Sequence, residues 1–499
     1  MSIHWPIIRQ LVSHPTRVAV VDDRKAYKGY EILAAATHVA AQIEQRCTSD
    51  TVGVLLPCTG AFPICALAAW MTGKTLVPLN FMLKPEELDY VVGDCGADTI
   101  LTSRAMLDHL GFCPLVKHVI ELEDINFKSV PPLKWPVGAE DDDLAVLLYT
   151  SGTSGKPKGV MLTHANIQAN VAQCEGWVGL HPGDSMVGVL PQFHSFGLTV
   201  LTLLPLTVGL KVVYTARFKP MKLLELFREH RPRLFVGIPS MYTALVNSKS
   251  ATSADFSSIE FLVSGGEPLP DAVSQQWSDR FGGRIAEGYG LTETAPVSNW
   301  CRPFEYKRHS VGKALTGIDQ RIRCIDSRRD LGVNAEGEIV MKGPNVMCGY
   351  YGLPDETSLA FEDGFFRTGD IGKIDADGHL FITGRLKEML IVGGENVFPR
   401  EIEEVINRHP KVAASGVVGK DDGVRGEVPV AFVELCEEVE DREGVDQEVK
   451  AYCRENLAGY KVPREVRVLD ALPRNPTGKI LRRELKPLVS GVAPQAAAS

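Results

Sequence analysis

The chain lacks the features that mark several common protein classes. Its 499 residues include eleven cysteines, from Cys47 to Cys453, with no CxxC pair and no His/Cys spacing typical of a metal site. We therefore expect free thiols in a reducing, cytoplasmic compartment rather than a disulfide framework. The N-terminal sequence MSIHWPIIRQLVSHP contains no apolar run of signal-peptide length, which argues against export.

Excess positive charge and long apolar runs are also missing. The formal net charge is -9, and binding to a phosphate backbone needs clustered Lys and Arg, so we do not expect a nucleic-acid partner. Small anionic ligands need only local donors and stay open. The most apolar stretch, Phe196 to Leu210, is interrupted by Thr199 and Pro205 and is shorter than the roughly 20 residues of a spanning helix. We expect it in the protein interior and expect no transmembrane segment, while peripheral membrane contact stays open.

The pattern that is present indicates an α/β fold. Short apolar runs such as VGVLL, TLVPL and AVLLY alternate with helical stretches from about Val18 to Val213, which predicts buried parallel strands in layered α/β subdomains. Between Gly312 and Gly384, short alternating strands predict a small β-rich subdomain. We expect an N-terminal domain over residues 1–384, a hinge at 385–388, a small mobile α+β domain over 389–486 and a flexible tail over 487–499.

The first chemical motif is YTSGTSGKPKG, from Tyr149 to Gly159, directly after the apolar run that ends at Leu148. A strand that leads into a Gly, Ser and Thr loop places backbone N–H groups, hydroxyls and lysines where a polyphosphate can bind. The motif is not of the Walker type, because Pro157 stands where GxxxxGK[ST] requires its second glycine. A flexible surface loop is the alternative interpretation of this composition.

The second motif is EGYGLTETAP, from Glu287 to Pro296. Its glycines allow the backbone to approach a flat ligand, on which the ring of Tyr289 can stack. Thr292 offers a hydroxyl, and the hard carboxylate of Glu293 suits Mg²⁺ held on phosphates. A tight turn with an exposed acid is the alternative.

Two further motifs follow, FRTGD with GRLKEMLIVGGENVFP and then PRNPTGKILRREL. Asp370 can accept hydrogen bonds from ribose hydroxyls, and Arg385 can face ribose or phosphate. Lys479 lies just after a Pro/Gly turn. A turn aspartate and solvated surface charges are the alternatives.

In this order, the motifs resemble those of the adenylate-forming superfamily, which comprises acyl- and aryl-CoA synthetases, luciferases and amino-acid-activating domains. The resemblance covers nearly the whole chain. LPQFHSFGLTVLTLLPLTVGLKVVY and GIPSMYTAL are most similar to bacterial long-chain fatty acyl-CoA and acyl-carrier-protein ligases. The resemblance implies ATP, Mg²⁺ and CoA as cofactors.

The resemblance also implies roles for individual residues. The implied nucleotide site comprises Thr150, Ser151, Gly152, Thr153, Ser154, Gly155, Lys156, Gly266, Glu267, Glu287, Gly288, Tyr289, Gly290, Leu291, Thr292, Asp370, Arg385 and Lys479. The implied catalytic residues are Lys479, Thr292, Glu293 and His194, and Glu293 and Thr150 would meet the metal. Lys387 would be the hinge, where some relatives have Asp. Gly393 and Gly394 would line the pantetheine tunnel for CoA.

The expected reaction is ATP-dependent ligation of a carboxylic acid to a thiol through an acyl-adenylate. A medium- or long-chain fatty acid suits the apolar surroundings of His194, because burial contributes about 0.8 kcal/mol per methylene. Aryl acids, and an acyl-carrier protein in place of CoA, remain alternatives. A non-catalytic nucleotide- or acyl-binding relative and a luciferase-type oxygenase are the competing classes of protein.

Overall fold

The computed structural model describes residues 2–132, 134–151, 156–423, 426–436, 439, 441–474 and 480–489, with the backbone alone for Ser151. The strands are β1 Val18–Val21, β2 Ala26–Lys28, β3 Thr51–Leu55, β4 Thr75–Pro78, β5 Thr99–Thr102, β6 His118–Glu121, β7 Leu144–Ser151, β8 Pro157–Thr163, β9 Ser185–Gly188, β10 Lys211–Tyr214, β11 Leu234–Gly237, β12 Phe261–Ser264, β13 Ala286–Gly290, β14 Val297–Trp300, β15 Lys313–Ala314, β16 Asp319–Arg323, β17 Gly337–Lys342, β18 Gly349–Tyr350, β19 Phe361–Glu362, β20 Phe365–Ile374, β21 Leu380–Arg385, β22 Leu390–Val392, β23 Glu395–Val397, β24 Val412–Asp421, β25 Glu427–Leu435 and β26 Glu465–Leu469.

The α-helices lie between these strands. They are α1 His4–Ser13, α2 Gly29–Arg46, α3 Ala61–Met71, α4 Pro85–Asp94, α5 Arg104–Leu110, α6 His164–Val178, α7 Ser195–Leu198, α8 Leu204–Val208, α9 Pro220–His230, α10 Pro239–Asn247, α11 Asp271–Phe281, α12 Pro354–Ala360, α13 Pro399–Ile406, α14 Val445–Asn456 and α15 Arg482–Val489. No helix within the described ranges is long and apolar enough to cross a membrane.

The chain divides into two compact units that are not continuous in sequence. The first unit comprises residues 1–266, 284–320 and 341–367, and the second comprises 267–283, 321–340 and 368–499.

The first unit contains two large sheets. One has nine strands in the order β15-β14-β13-β12-β11-β9-β10-β1-β2, and the other has seven in the order β18-β8-β7-β4-β3-β5-β6. The strands from β13 to β1 run parallel, as do those from β7 to β6. Strands such as β3, β4, β9, β11 and β12 are buried along their whole length. Their continuous apolar sequences are those expected of parallel strands covered on both faces.

Parallel pairing brings several motifs to one edge of the nine-stranded sheet. β9, β11, β12 and β13 are parallel and follow one another in the sheet, so their carboxyl ends share an edge. The segments that follow these ends include PQFHS, GGEP and LTET. In open α/β sheets, ligands bind at the carboxyl ends of the strands, so the topology favours this edge as a site.

The apolar stretch from Phe196 to Leu210 is helical. It forms α7, a π-helical turn over Thr199–Leu203, and α8. Leu198, Leu201 and Leu204 are fully buried, as predicted. Single π-helical turns within helices are frequent at functional sites.

The second unit has an α+β architecture over its C-terminal part. The sheet β24-β25-β26 packs with α13, α14 and α15, and β22 pairs with β23 in a separate hairpin. A further sheet, in the order β16-β17-β20-β19 with β21 on β20, contributes most of its residues to this unit. The buried core of the C-terminal part includes Ile402, Val417, Val433 and Val449.

The sequence predicted this α/β class and the strand-rich region between Gly312 and Gly384. The structure adds that β15 and β18 from that region extend the edges of the two large sheets. α15 continues to Val489, past the predicted start of the tail at residue 487, because Leu485 and Val489 lie one helical turn apart and are both buried. Residues 490–499 of the predicted tail lie outside the described residues.

Candidate active site

The predicted phosphate loop lies between two paired strands of the seven-stranded sheet. Thr150 at the end of β7 pairs with Lys158 of β8, and Ser151 pairs with Pro157. Gly152, Thr153, Ser154 and Gly155 lie outside the described residues. Lys156 is exposed, and its Nζ lies 5.2 Å from the ring centroid of Tyr90. The strand predicted before the motif is confirmed by β7, and β8 after it was not predicted.

A tyrosine near the loop end of this hairpin contacts α4. The hydroxyl of Tyr149 donates to Oδ2 of Asp94 at 2.6 Å. Burial, together with the hydrogen bond to Asp94, raises the pKa of Tyr149. The phenol therefore stays protonated as a donor and ties β7 to α4.

The second motif passes from β13 into a short 3-10 turn, Thr292–Thr294. Gly290 is required by close packing, because a Cβ there would lie 1.9 Å from the carbonyl oxygen of Pro296. Glu287, Gly288 and Tyr289 are half-buried along β13, and Leu291 follows them. The buried Thr294 hydroxyl bonds to the carbonyl oxygens of Leu291 and Pro296 and thereby shapes the turn.

Thr292 and Glu293 are presented by this turn and meet residues from distant parts of the first unit. The Thr292 hydroxyl lies 3.3 Å from Oγ of Ser195, the first residue of α7. The Tyr350 hydroxyl donates to Oε1 of Glu293 at 2.9 Å, and the backbone N–H of Met347 donates to the Glu293 carbonyl at 2.8 Å. Burial, and after it the Glu293 charge, raises the pKa of Tyr350. Thr292 therefore contacts Ser195, and Glu293 contacts Tyr350. Neither Ser195 nor Tyr350 was among the predicted site residues.

His194 lies directly before Ser195 and is exposed. Its Nδ1 accepts a hydrogen bond from the backbone N–H of Phe196, so the imidazole caps α7. The structure thus places His194 at the carboxyl edge of the nine-stranded sheet. Its catalytic role stays a prediction.

Two buried hydroxyl groups lie after β9 and at the end of β12 in the same unit. Thr199 Oγ1 in the π-helical turn and Ser264 Oγ at the end of β12 are buried without a hydrogen-bond partner among the described residues. Gly265 leaves room for the ring of Phe196, since a Cβ there would lie 2.9 Å from that ring. Buried polar atoms of this kind often bind water or ligand.

Gly266 and Glu267 follow in the SGGEP segment. Gly266 is exposed with φ of 81°, a left-handed conformation that glycine adopts without strain. Glu267 is half-buried, belongs to the second unit and begins the connection to α11. Their predicted place beside the nucleotide stays a prediction.

In the second unit, Asp370 and Arg385 face each other across β20 and β21. Arg385 Nε donates to Oδ1 of Asp370 at 2.7 Å, and the side chains are 4% and 38% exposed for the aspartate and the arginine. The Thr368 hydroxyl accepts from the Asp370 N–H at 3.0 Å and orients the turn. The two residues predicted to hold the ribose are therefore brought together as an ion pair.

The predicted hinge and CoA-binding residues lie further along the second unit. Lys387 is exposed in a 3-10 turn over Leu386–Glu388, directly after β21. Gly393 and Gly394 form the exposed turn between β22 and β23 with φ of 62° and 89°. Among the described residues, and apart from the adjacent residues in the chain, no atom lies within 4 Å of where a Cβ would stand. The turn therefore leaves space beside its backbone.

Lys479 lies outside the described residues, but its flanks are described. Arg474 and Ile480 form an antiparallel bridge on either side of residues 475–479. Arg482 then donates from Nη1 to Glu388 at 2.8 Å and, through Nε and Nη2, to Glu403 at 3.0 and 2.6 Å. The start of α15 is thereby joined to the 3-10 turn that contains Lys387.

Comparison with known proteins matches the chain in two parts. A family model described as AMP-binding enzyme matches residues 8–351, and one described as AMP-binding enzyme C-terminal domain matches residues 401–479. The long-chain-fatty-acid–CoA ligase of Bacillus subtilis (strain 168) is 31% identical over 518 residues, covering 94% of this chain and 91% of that enzyme. The feruloyl-CoA synthase of an Amycolatopsis species is 33% identical over 489 residues, covering 97% and 98%.

Solved structures agree with these sequence matches. ATP-bound MatB from Rhodopseudomonas palustris superposes with a TM-score of 0.88 at 29% identity, covering 98% of this chain and 99% of that one. The fold is therefore similar to that of an ATP-bound protein over almost the full length of both chains.

Proposed function

Since the chain belongs to the AMP-binding enzyme family, we propose that it is an AMP-forming acyl-CoA synthetase that activates a medium- or long-chain fatty acid. The observation that carries the proposal is the turn at the carboxyl edge of the nine-stranded sheet. There Thr292 and Glu293 are held by Ser195 and Tyr350 beside an apolar helical segment.

The reaction has two steps. A carboxylate oxygen of the acid attacks the α-phosphorus of ATP, the bond to the bridging oxygen breaks, and pyrophosphate leaves with its electron pair. The product is an acyl-adenylate, a mixed anhydride with AMP as its leaving group. The thiol of CoA, as it loses its proton, then attacks the acyl carbon, and AMP departs to leave the thioester.

Most of the residues that we assign to the first step belong to the first unit, and Glu267 belongs to the second. Negative charge develops around phosphorus, so donors placed in advance lower the barrier more than a protein nucleophile would. We assign the phosphates to the loop from Thr150 to Lys156, and the adenine and the head of the acid to Glu287–Leu291 with Gly266 and Glu267. His194 stands at the entrance to the acyl site.

The residues of the second unit serve both steps. Asp370 and Arg385 bind the ribose, and Lys479 contacts the carboxylate and the α-phosphate during adenylation. Gly393 and Gly394 line the path of the pantetheine thiol during transfer. Lys479 and the turn of Gly393 and Gly394 act in different steps. A change of the backbone angles at Lys387 between the steps would bring first one and then the other to the reacting groups.

Magnesium fits the donors that the first unit offers. Within the described ranges, no cluster of three or more His, Cys, Asp or Glu side chains could hold a metal by itself. Mg²⁺ binds through one or two carboxylates together with substrate phosphates, and Glu293 with the hydroxyl of Thr150 supplies hard oxygen ligands of this kind. When bound, Mg²⁺ neutralises charge on the phosphates.

The acid itself has two candidates. The buried leucines and valines of α7, the π-helical turn and α8 favour an alkyl chain. An aryl acid is the second candidate, because the feruloyl-CoA synthase is as similar in sequence as the fatty-acid ligase. All eleven cysteines are free thiols, which supports a reducing, cytoplasmic location.

A panel of acids with ATP, Mg²⁺ and CoA tests the proposal, with pyrophosphate and thioester measured separately. We expect decanoate or palmitate to give a higher kcat/KM than benzoate or ferulate. The reverse order would replace the fatty acid by an aryl acid and leave the ligase intact. Thioester with free acyl-carrier protein but not with CoA would change the acceptor, and no acid-dependent pyrophosphate release would overturn the enzyme assignment.

A further inference from the structure

Tyr350 is a side chain of the first unit that no motif argument identified. It lies on β18, which pairs antiparallel with β8 through Gly349 opposite Met161 and Tyr350 opposite Val160. β8 begins directly after the phosphate loop, so β18 is joined to the strand that supports this loop. The Tyr350 N–H donates to the Thr357 hydroxyl at 2.9 Å, which fixes the backbone at the start of the side chain.

The segment around Tyr350 holds Glu293 at both its backbone and its side chain. The Met347 N–H donates to the Glu293 carbonyl at 2.8 Å, and the Tyr350 hydroxyl donates to the carboxylate oxygen Oε1 at 2.9 Å. A glutamate side chain on a short turn can populate several rotamers, and each contact reduces their number. Two anchors from one segment restrict both the turn and the carboxylate.

Lys158 connects Tyr350 to the phosphate hairpin, by which we mean β7, β8 and the predicted phosphate loop between them. Its Nζ lies 5.3 Å from the centroid of the Tyr350 ring and 3.8 Å from a carboxylate oxygen of Glu356. A cation over the face of an aromatic ring is attracted by the ring and also withdraws electron density from it, which favours donation by the hydroxyl. Lys158, Tyr350 and Glu293 therefore form a continuous chain of contacts from β8 to the turn.

We propose that Tyr350 is a positioning residue for adenylation, whose hydroxyl holds the Glu293 carboxylate in the orientation used for magnesium-bound ATP and couples it to the phosphate hairpin. This rests on the function of Glu293 proposed above. Catalytic groups must be held to within a fraction of an ångström, and the groups that hold them act through orientation rather than through contact with substrate. A neutral phenol orients the carboxylate and leaves its negative charge in place.

Tyr350→Phe tests the proposal, because it keeps the ring beneath Lys158 and removes only the hydroxyl. Loss of a hydrogen bond to a charged group predicts a fall of about 10-fold in the rate of pyrophosphate release. Thioester formation from supplied acyl-AMP and CoA should stay within about twofold of wild type, since that step does not use the ATP phosphates. Tyr351→Phe is the matched control, because the Tyr351 hydroxyl has no hydrogen-bond partner among the described residues.

A binding measurement without turnover gives an independent readout. Titration calorimetry with ATP, in the absence of any acid, measures Kd with Mg²⁺ and with EDTA. We expect Tyr350→Phe to reduce the gain in affinity that Mg²⁺ confers and to leave ATP binding in EDTA unchanged. An unchanged magnesium gain, together with unchanged pyrophosphate release, would overturn the role of Tyr350.

A double-mutant cycle with Glu293→Gln separates this inference from the proposed function. If Tyr350 acts through Glu293, adding Tyr350→Phe to Glu293→Gln should change the rate by less than about twofold. A further 10-fold loss in that background, or equal loss of both half-reactions, would overturn the positioning role alone. Equal loss is also the signature of a partly unfolded variant, so instability cannot imitate the expected result. No effect of Glu293→Gln would overturn the assignment of Glu293 and that of Tyr350 with it.

Discussion

Glu293 in the first unit and Glu403 in the second are both held by side chains from distant parts of the sequence, but Tyr350 and Arg482 are donors of different charge. Glu403 is 10% exposed and receives two hydrogen bonds from the Arg482 guanidinium and one from the Val417 N–H at 2.7 Å. Glu293 receives the hydroxyl of Tyr350, a neutral donor. The guanidinium carries a charge opposite to that of its carboxylate, whereas the phenol is neutral. The comparison predicts that Glu403 supports the fold, and Glu293 is the carboxylate that we propose to serve a ligand.

Asp370 shares features with both carboxylates, because it pairs with an arginine and is also a predicted ligand-binding residue. It is nearly buried and paired with Arg385 through Oδ1, although a carboxylate can accept several hydrogen bonds through its two oxygens. The pairing orients the carboxylate, so a role toward ribose remains compatible with the ion pair. The comparison therefore predicts loss of activity when Glu293 is substituted and loss of stability when the cation beside Glu403 is removed.

The largest loss of activity is expected for Lys479→Ala. Removing a cation that stabilises the developing charge lowers the rate about 10²- to 10³-fold. Pyrophosphate release should collapse, while transfer from supplied acyl-AMP to CoA is largely kept. Single-turnover measurements of the two half-reactions check this, and equal loss of both would indicate a role in folding.

Glu293→Gln should have the next largest effect. The substitution keeps the volume and removes the charge offered to Mg²⁺, so we expect adenylation to fall about 10²-fold with little change in Tm. Pyrophosphate release is measured across a Mg²⁺ titration. Wild-type rates at every concentration would contradict the assignment and remove the contrast with Glu403.

Lys387→Pro should affect one half-reaction more than the other. Proline fixes φ near about -65° and restricts Leu386, so the turn before Glu388 can no longer rotate. We expect pyrophosphate release to persist and thioester formation to fail, whereas Lys387→Ala, which keeps the backbone free, should support both. A folded proline variant that makes thioester at the wild-type rate would rule out the hinge.

The smallest loss of activity is expected for Arg482→Met, which tests the other side of the comparison. Leaving Glu403 buried without its cation destabilises the C-terminal part by about 3 kcal/mol. Hydrogen exchange of α13 and β24 should rise, while the rate per folded molecule changes little. Arg483→Met, at an exposed neighbour on the same helix, is the control. Equal protection in both variants would show that the Glu403 pair does not support the fold.

The sequence by itself determined the fold class and the family, and it predicted a chemical role for each motif. An apolar run followed by YTSGTSGKPKG predicts a strand and a phosphate loop; β7 confirms the strand, and the phosphate-binding role stays a prediction. Thr292, Glu293, Asp370 and Arg385 were predicted as site residues from the residue types within their motifs and from the family resemblance, and their roles stay predictions.

Only the tertiary structure decided which residues hold these groups. Tyr350 is 57 positions from Glu293, and Ser195 is 97 positions from Thr292, so no local pattern relates them. A tyrosine in GYYG could equally serve packing, and its contact depends on the register of β18 against β8. The pairing of Asp370 with Arg385 likewise follows from the register of β20 and β21. Local sequence specifies which atoms can bind, whereas strand register and long-range packing decide which of them meet.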